Sequence, residues 1–204
     1  MFYYKIDVCN LSLAALGEAA IRDFNENNKR ARMCDVFFDS AKDYLLSKYD
    51  WSFARAFKKL NQLDLPADEI PVGEYAYQLP ADCSVPRNIF PLGSKDMWEV
   101  MADRLFANKE TISLYYTKRD VSTALFSDCF ASALYLLLAV RMSPAITQDK
   151  SLTKALYDQY IREQMGAWES DANIGNQYRQ YDEDPLNDTF VNPDLVTTVL
   201  NVSS

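Results

Sequence analysis

From Ala31 onwards the apolar positions Ala31, Cys34, Phe38, Ala41 and Leu45 step by three and four residues, which sets them on one helical face. Phe37 and Tyr44 widen that stripe. A helix with so much apolar and aromatic area on one side must bury it against other elements, so residues 31–60 predict the spine of the fold. After Asp50 the pattern turns to alternation, with Trp51 and Phe53 on one side and Ser52 and Ala54 on the other, and the chain leaves the helix. Residues 3–16 predict a first helix, with Ile6, Cys9, Leu13 and Leu16 on its apolar face and Gly17 in the left-handed capping position beyond it. Asn10 is the polar exception and is expected to bond a neighbouring backbone. Asn25, Asn27 or Asn28 caps the spine, and Arg30 and Arg32, placed against its dipole, call for a compensating carboxylate such as Asp35.

Between Leu63 and Ser122 the texture changes to short alternating runs punctuated by Pro66, Pro71, Pro80, Pro86 and Pro91. A hairpin is expected with Ala107-Asn108-Lys109-Glu110 as its turn, joining residues 103–106 to residues 111–116. A third helix starts at Ser127, carries Phe130, Leu134, Leu137, Leu138 and Arg141 along one side, and closes at Pro144. A fourth runs from Lys150 to Ala172 with Tyr157, Ile161, Met165, Trp168 and Ala172 as its apolar stripe. Beyond Asn173 the reading is an extended arm with scattered aromatic anchors. The fold class that follows is α+β, mainly α: a four-helix bundle with an inserted small antiparallel β subdomain and an extended C-terminal arm. Its parts are residues 1–62 (first half of the bundle), 63–123 (β insert), 124–172 (second half) and 173–204 (arm).

Composition narrows the chemistry. There is no His, which removes the commonest general base and metal ligand and any Ser-His or Cys-His pair. Cys9, Cys34, Cys83 and Cys129 lack the close spacing of a zinc or redox site, so buried free thiols are expected. A net charge of −8 opposes electrostatic binding to nucleic acid. The apolar run Cys129 to Val140 reads as a core helix too short to span a bilayer, and residues 1–7 lack signal-peptide character. With 13 Tyr and 11 Phe the chain is aromatic enough to favour protein contacts.

The ordered set Asn10-x-x-Leu13-x-x-Leu16-Gly17, Ala31-x-x-Cys34, Leu45, Trp51-x-Phe53-Ala54, Leu60 and Tyr75-x-Tyr77-x-Leu79-Pro80-Ala81-Asp82-Cys83 resembles the tail tubular protein A family of short-tailed bacteriophages, the head-to-tail adaptors. The likeness continues more loosely through Asn108 and Tyr115-Tyr116 to about residue 172, and departs from the family around Glu74 and over residues 84–94. It implies a ring of twelve copies between the portal protein and the tail nozzle protein of a virion, made in the bacterial cytoplasm, with DNA passing through the lumen without sequence-specific binding. It implies no catalytic residue, cofactor, metal or membrane contact. Gly17, Cys34, Trp51, Phe53, Leu79, Pro80 and Asp82 are its motif core here, and Tyr178, Tyr181 and Phe190 in the arm are the expected portal anchors, so that deletion of residues 173–204 is expected to abolish portal binding. Twelve such subunits carry roughly −100 formal charge, and a negative lumen offers phosphates no sticking points.

Other readings compete. A stopper or nozzle ring shares the composition. A cell-wall glycosidase needs only two carboxylates at a fixed separation, for which Asp64, Asp68, Glu69, Glu74 and Asp82 are candidates, although Asp82 after Leu79-Pro80-Ala81 is more simply a turn residue. A host-protein-binding helical module would present one exposed apolar patch.

Overall fold

The structure, a computed structural model, describes residues 3–66, 70, 75–91, 93 and 97–182, with backbone alone over 174–182. Helix α1 spans Lys5–Ala15, and at its start the Asp7 carboxylate accepts the Tyr4 N–H at 2.9 Å. At its end Gly17 takes φ 73°, while the N–H of Glu18 donates to the Leu13 carbonyl at 2.9 Å and that of Gly17 to Ala14 at 3.0 Å, a Schellman closure. A Cβ at Gly17 would meet nothing within 4 Å, so only backbone strain opposes substitution. Gly17→Ala should therefore lower stability by about 1 kcal/mol in urea unfolding, with the m-value unchanged. The Asn10 amide holds Ile21 like a strand partner, donating to its carbonyl at 3.0 Å and accepting its N–H at 2.9 Å.

Helix α2 spans Lys29–Lys48 and buries Ala31, Cys34, Phe38, Ala41 and Leu45 as their spacing predicts. Asn28 is its cap, accepting the Ala31 N–H at 2.8 Å. Arg30 is compensated by Glu18 at 3.4 Å; Asp35 instead faces Lys5, at 3.2 Å. Helix α3 spans Asp128–Ile146 from a Ser127 cap, and Pro144 lies inside its last turn instead of ending it. Helix α4 spans Lys150–Asp182. It turns Leu156, Tyr160, Gln164, Ala167 and Asp171 inward, one residue out of phase with the apolar stripe read from the sequence, and Tyr157 and Met165 are exposed. Two polar residues hold core positions on this helix, which is why its hydrophobic pattern misleads.

The four-helix bundle with a small β insert and an extended arm is not the architecture. Helix α3 is apolar on every side and packs against α1, α2 and α4 alike, so it is a central rod with three helices around it; a bundle would have each helix contribute one stripe to a shared core. Of the described residues 50% are helical and 21% strand, a mixed α+β fold. By length and composition α3 is apolar enough to cross a membrane, but 56% of that stretch is buried inside the fold, as in a core helix.

The strands form two antiparallel sheets. The first has β1 (Arg55–Lys59), β7 (Ser113–Lys118) and β4 (Cys83–Phe90) in the order β1-β7-β4; the second has β2 (Gln62–Leu63), β3 (Tyr75–Gln78), β6 (Arg104–Ala107) and β5 (Trp98–Met101) in the order β2-β3-β6-β5. Ile89, Leu114 and Tyr116 of the first sheet meet Tyr77, Leu105 and Ala107 of the second in a core separate from the helical one. The β part thus begins at Arg55, ahead of the boundary read at residue 63. The hairpin expected around Asn108 does not form, because β6 and β7 belong to different sheets. The tight turn is Ala102-Asp103 between β5 and β6, with Ala102 at φ 54°. Asn108 closes the far end of that pair, its side chain accepting the Met97 N–H at 3.1 Å.

Candidate functional site

The residues singled out in the sequence fall in three places. Trp51 and Phe53 lie at the junction of the helical and strand parts. Helix α2 ends there without glycine, and its last carbonyls are taken by side chains from elsewhere. The Trp51 indole N–H donates to Leu45 at 2.9 Å, and the Arg87 guanidinium donates to Tyr49 at 2.7 Å, also placing positive charge at the negative end of the helix dipole. Arg87 bonds Thr117 of β7 at 2.9 Å as well, so one side chain ties α2 to the first sheet. Asp50 pairs with Arg55 at 3.3 Å and accepts from the Tyr115 hydroxyl at 3.1 Å. From α4, the buried Asp171 carboxylate accepts the Ser52 N–H at 3.0 Å and the Ser52 hydroxyl at 2.6 Å, capping the short 3-10 turn Ser52–Ala54.

Around Trp51 the rings of Tyr49, Phe53 and Phe130 stand 5.2, 6.0 and 4.9 Å away, edge-on or tilted, and Trp168 stacks on Tyr49 at 5.9 Å. The junction is therefore an aromatic plug rimmed by charge-assisted hydrogen bonds, a device that fixes the two parts of the chain against each other. Arg87 and Asp171 carried no sequence signal, since their partners are mostly backbone groups.

Gly17 caps α1, and Cys34 sits in the helical core, its thiol 3.8 Å from the Met142 sulfur. The neighbouring Cys34 thiol, together with burial, holds the free Cys9 thiol far above the ordinary thiol range. Leu79, Pro80 and Asp82 form the crossing from β3 to β4. Asp82 accepts from the Tyr116 hydroxyl at 2.9 Å and pairs with Lys118 at 3.5 Å; burial first, and this carboxylate second, push the Tyr116 phenol up to about 12. Asp82 is thus engaged as a turn residue. Asp64 lies just past β2, and Asp68, Glu69 and Glu74 lie outside the described residues. Among the described residues no group of three His, Cys, Asp or Glu side chains is placed to hold a metal. Tyr178 and Tyr181 lie on the last turns of α4 and not on an extended arm, while Phe190 lies outside the described residues.

What remains for function is surface. On the helices, Tyr44 and Tyr157 (50% exposed) lie by Arg141, which reaches Ser40 at 2.5 Å and covers the Tyr44 ring at 5.1 Å, and Val36 (59% exposed) stands one turn before Ser40 on α2. An apolar groove of about 610 Å³ between α3 and α4, lined by Val140, Pro144 and Tyr157, adjoins them. On the first sheet, Phe57 and Phe90 are each 59% exposed and touch edge to face at 6.0 Å. A second groove, of about 560 Å³, opens where the strands cross between sheets, with Lys58, Lys59 and Arg119 on its walls. Compared with known proteins, the chain matches no family model and no curated protein.

Proposed function

We propose that the chain is the subunit of a virion head-to-tail adaptor ring that joins portal to tail nozzle and continues the DNA channel. The observation that carries this reading is the presence of two unlike exposed apolar surfaces, Val36, Tyr44 and Tyr157 on the helices and Phe57 with Phe90 on the first sheet. A closed ring is built from a heterologous contact in which two different patches of one subunit meet the opposite patches of its neighbours. Exposed aromatic anchors beside cationic side chains suit such contacts. The absence of His from the sequence and the engagement of Asp82 with Tyr116 and Lys118 favour a structural part over a catalytic one. The net charge of −8 suits a wall past which DNA slides. The last turns of α4, with Tyr178 and Tyr181, are the stretch assigned to the portal.

The test mixes the purified chain with portal protein and measures mass and shape by native mass spectrometry and electron microscopy, with the chain alone as control. The expected product is a twelve-membered ring capping the portal. A Tyr44→Asp/Tyr157→Asp variant and a Phe57→Asp/Phe90→Asp variant should each fail to close a ring, yet the two mixed should give a one-to-one pair, because each keeps the patch the other lacks. A monomer that never binds portal overturns the adaptor reading. A ring that binds a different tail component would favour the stopper or nozzle assignment.

A further inference from the structure

The groove where the strands cross between the sheets carries charge opposite in sign to that of the chain. Two crossings border it. On one side β1 ends at Lys59 and the chain passes through Leu60 and Asn61 to β2; on the other, Leu79, Pro80 and Ala81 lead from β3 towards β4. Successive side chains of a strand point to opposite faces. At the end of β1, however, Lys58 and Lys59 both line the groove. Arg119, just past the end of β7, is the third cation on its wall.

Charged side chains also blunt a sheet edge, and Arg55, Lys58 and Lys59 do so for β1. Edge protection does not account for Arg119, which follows the central strand of that sheet. Nor are the three groove cations balanced. Arg55 and Lys118 pair with Asp50 and Asp82 at 3.3 and 3.5 Å, whereas Lys58, Lys59 and Arg119 have no carboxylate partner among the described residues. Among those residues the one carboxylate on the wall is Asp103, whose Oδ2 accepts from the Gln78 amide at 3.2 Å. The Cys83 thiol adds no negative charge, because burial first, and Asp82 second, push it up to about 11. Three cations less one carboxylate leave two positive charges around a cavity of about 560 Å³, floored by the buried Leu60 and Pro80, in a chain of net charge −8. A low-dielectric floor focuses such a field.

We propose that this groove binds a phosphate monoester, its phosphate held by Lys58, Lys59 and Arg119 and the body that carries it lying along Leu79 and Pro80. Charge selects the class. A phosphate monoester carries about −1.5 to −2 at neutral pH, which matches the wall, while a carboxylate or a phosphodiester carries a single negative charge and leaves it unbalanced. Size agrees, since about 560 Å³ is far more than a bare phosphate fills and lies within the range of small-molecule sites. The site goes beyond the adaptor reading and does not depend on ring assembly.

Calorimetric titration of the full chain at low salt tests this, with adenosine monophosphate (AMP), inorganic phosphate, an oligothymidylate without terminal phosphates and tetraglutamate as probes. AMP should bind most tightly and inorganic phosphate more weakly. Both should weaken as pH falls through about 6, where the phosphate takes up a proton and keeps one charge. A Lys58→Gln/Lys59→Gln/Arg119→Gln variant should lose at least about tenfold in AMP affinity. All three positions are exposed, so the fold is kept, and thermal unfolding checks it. A Lys150→Gln/Lys154→Gln/Arg162→Gln variant, with the same net charge but its cations removed from α4, should bind AMP as the parent does. Unchanged binding in the first variant overturns the site, as does equal loss in the two, since net charge alone then explains it. Failure of both AMP and inorganic phosphate to bind the parent also overturns it. Oligothymidylate or tetraglutamate binding as tightly as AMP overturns the phosphate monoester as the ligand class. Inorganic phosphate binding as tightly as AMP overturns the seat along Leu79 and Pro80.

Discussion

Trp51→Ala should destabilise the protein by about 4 kcal/mol, the range for deleting a fully buried aromatic side chain. Trp51 has no exposed surface and is wedged among Tyr49, Phe53 and Phe130, so truncation leaves a cavity whose walls are rings pinned by their own neighbours. The indole N–H is also the partner of the Leu45 carbonyl, which would be left buried and unpaired at the end of α2. Trp51→Phe separates the two effects: it keeps most of the volume, loses the hydrogen bond, and should cost about 1–2 kcal/mol. Urea unfolding of both variants measures this, and a loss under about 1 kcal/mol for the alanine variant would show that the junction closes over the gap.

The second large effect is expected at Asp171. This carboxylate is 3% exposed and is the partner of both the Ser52 N–H and the Ser52 hydroxyl. Asp171→Ala should cost about 3 kcal/mol, from two charge-assisted bonds and a buried donor left without an acceptor. Asp171→Asn should retain part of this, because an amide oxygen can still accept from Ser52. A double-mutant cycle with Ser52→Ala should give a coupling of about 1–2 kcal/mol. A coupling near zero would mean that Asp171 acts on α4 alone and does not tie it to the junction.

Legibility of the sequence followed the distance over which each interaction acts. Where partners are a few residues apart, the pattern sufficed: the α2 stripe, the Asn28 and Ser127 caps and the Gly17 closure are all local chemistry. Pro144 does not end α3 because in the last turn its missing N–H costs only one helical bond, and the Ser143 and Thr153 hydroxyls, 2.7 Å apart, tie that turn to α4. The length of α4 had a signal that Gly175 obscured, since Ile174, Tyr178 and Tyr181 continue the four-and-three spacing. Strand pairing was the least legible part. The sequence around Asn108 looks like a turn, but which strand receives Tyr115 is decided by β1 and β4, far away in the chain. The same holds at the junction. Trp51 and Phe53 were visible as aromatics, whereas Arg87 and Asp171 bond mostly to backbone, which every residue has. For the function, the resemblance set an expectation and the two apolar surfaces give it a physical form to test.

The order in which the strands visit the two sheets has a consequence during synthesis. The central strand of the first sheet, β7, is made after β1 and β4, both of which pair with it and not with each other. Until residue 118 has left the ribosome, both outer strands wait with the inward faces of Ala56 and Ile89 uncovered, and the long separations make their closure slow. Helix α3 follows directly and is the rod the other helices need. The nascent chain therefore stays open until late and then completes its sheet core and its helical core in close succession, so truncated products ending before β7 should be the ones that aggregate or are degraded.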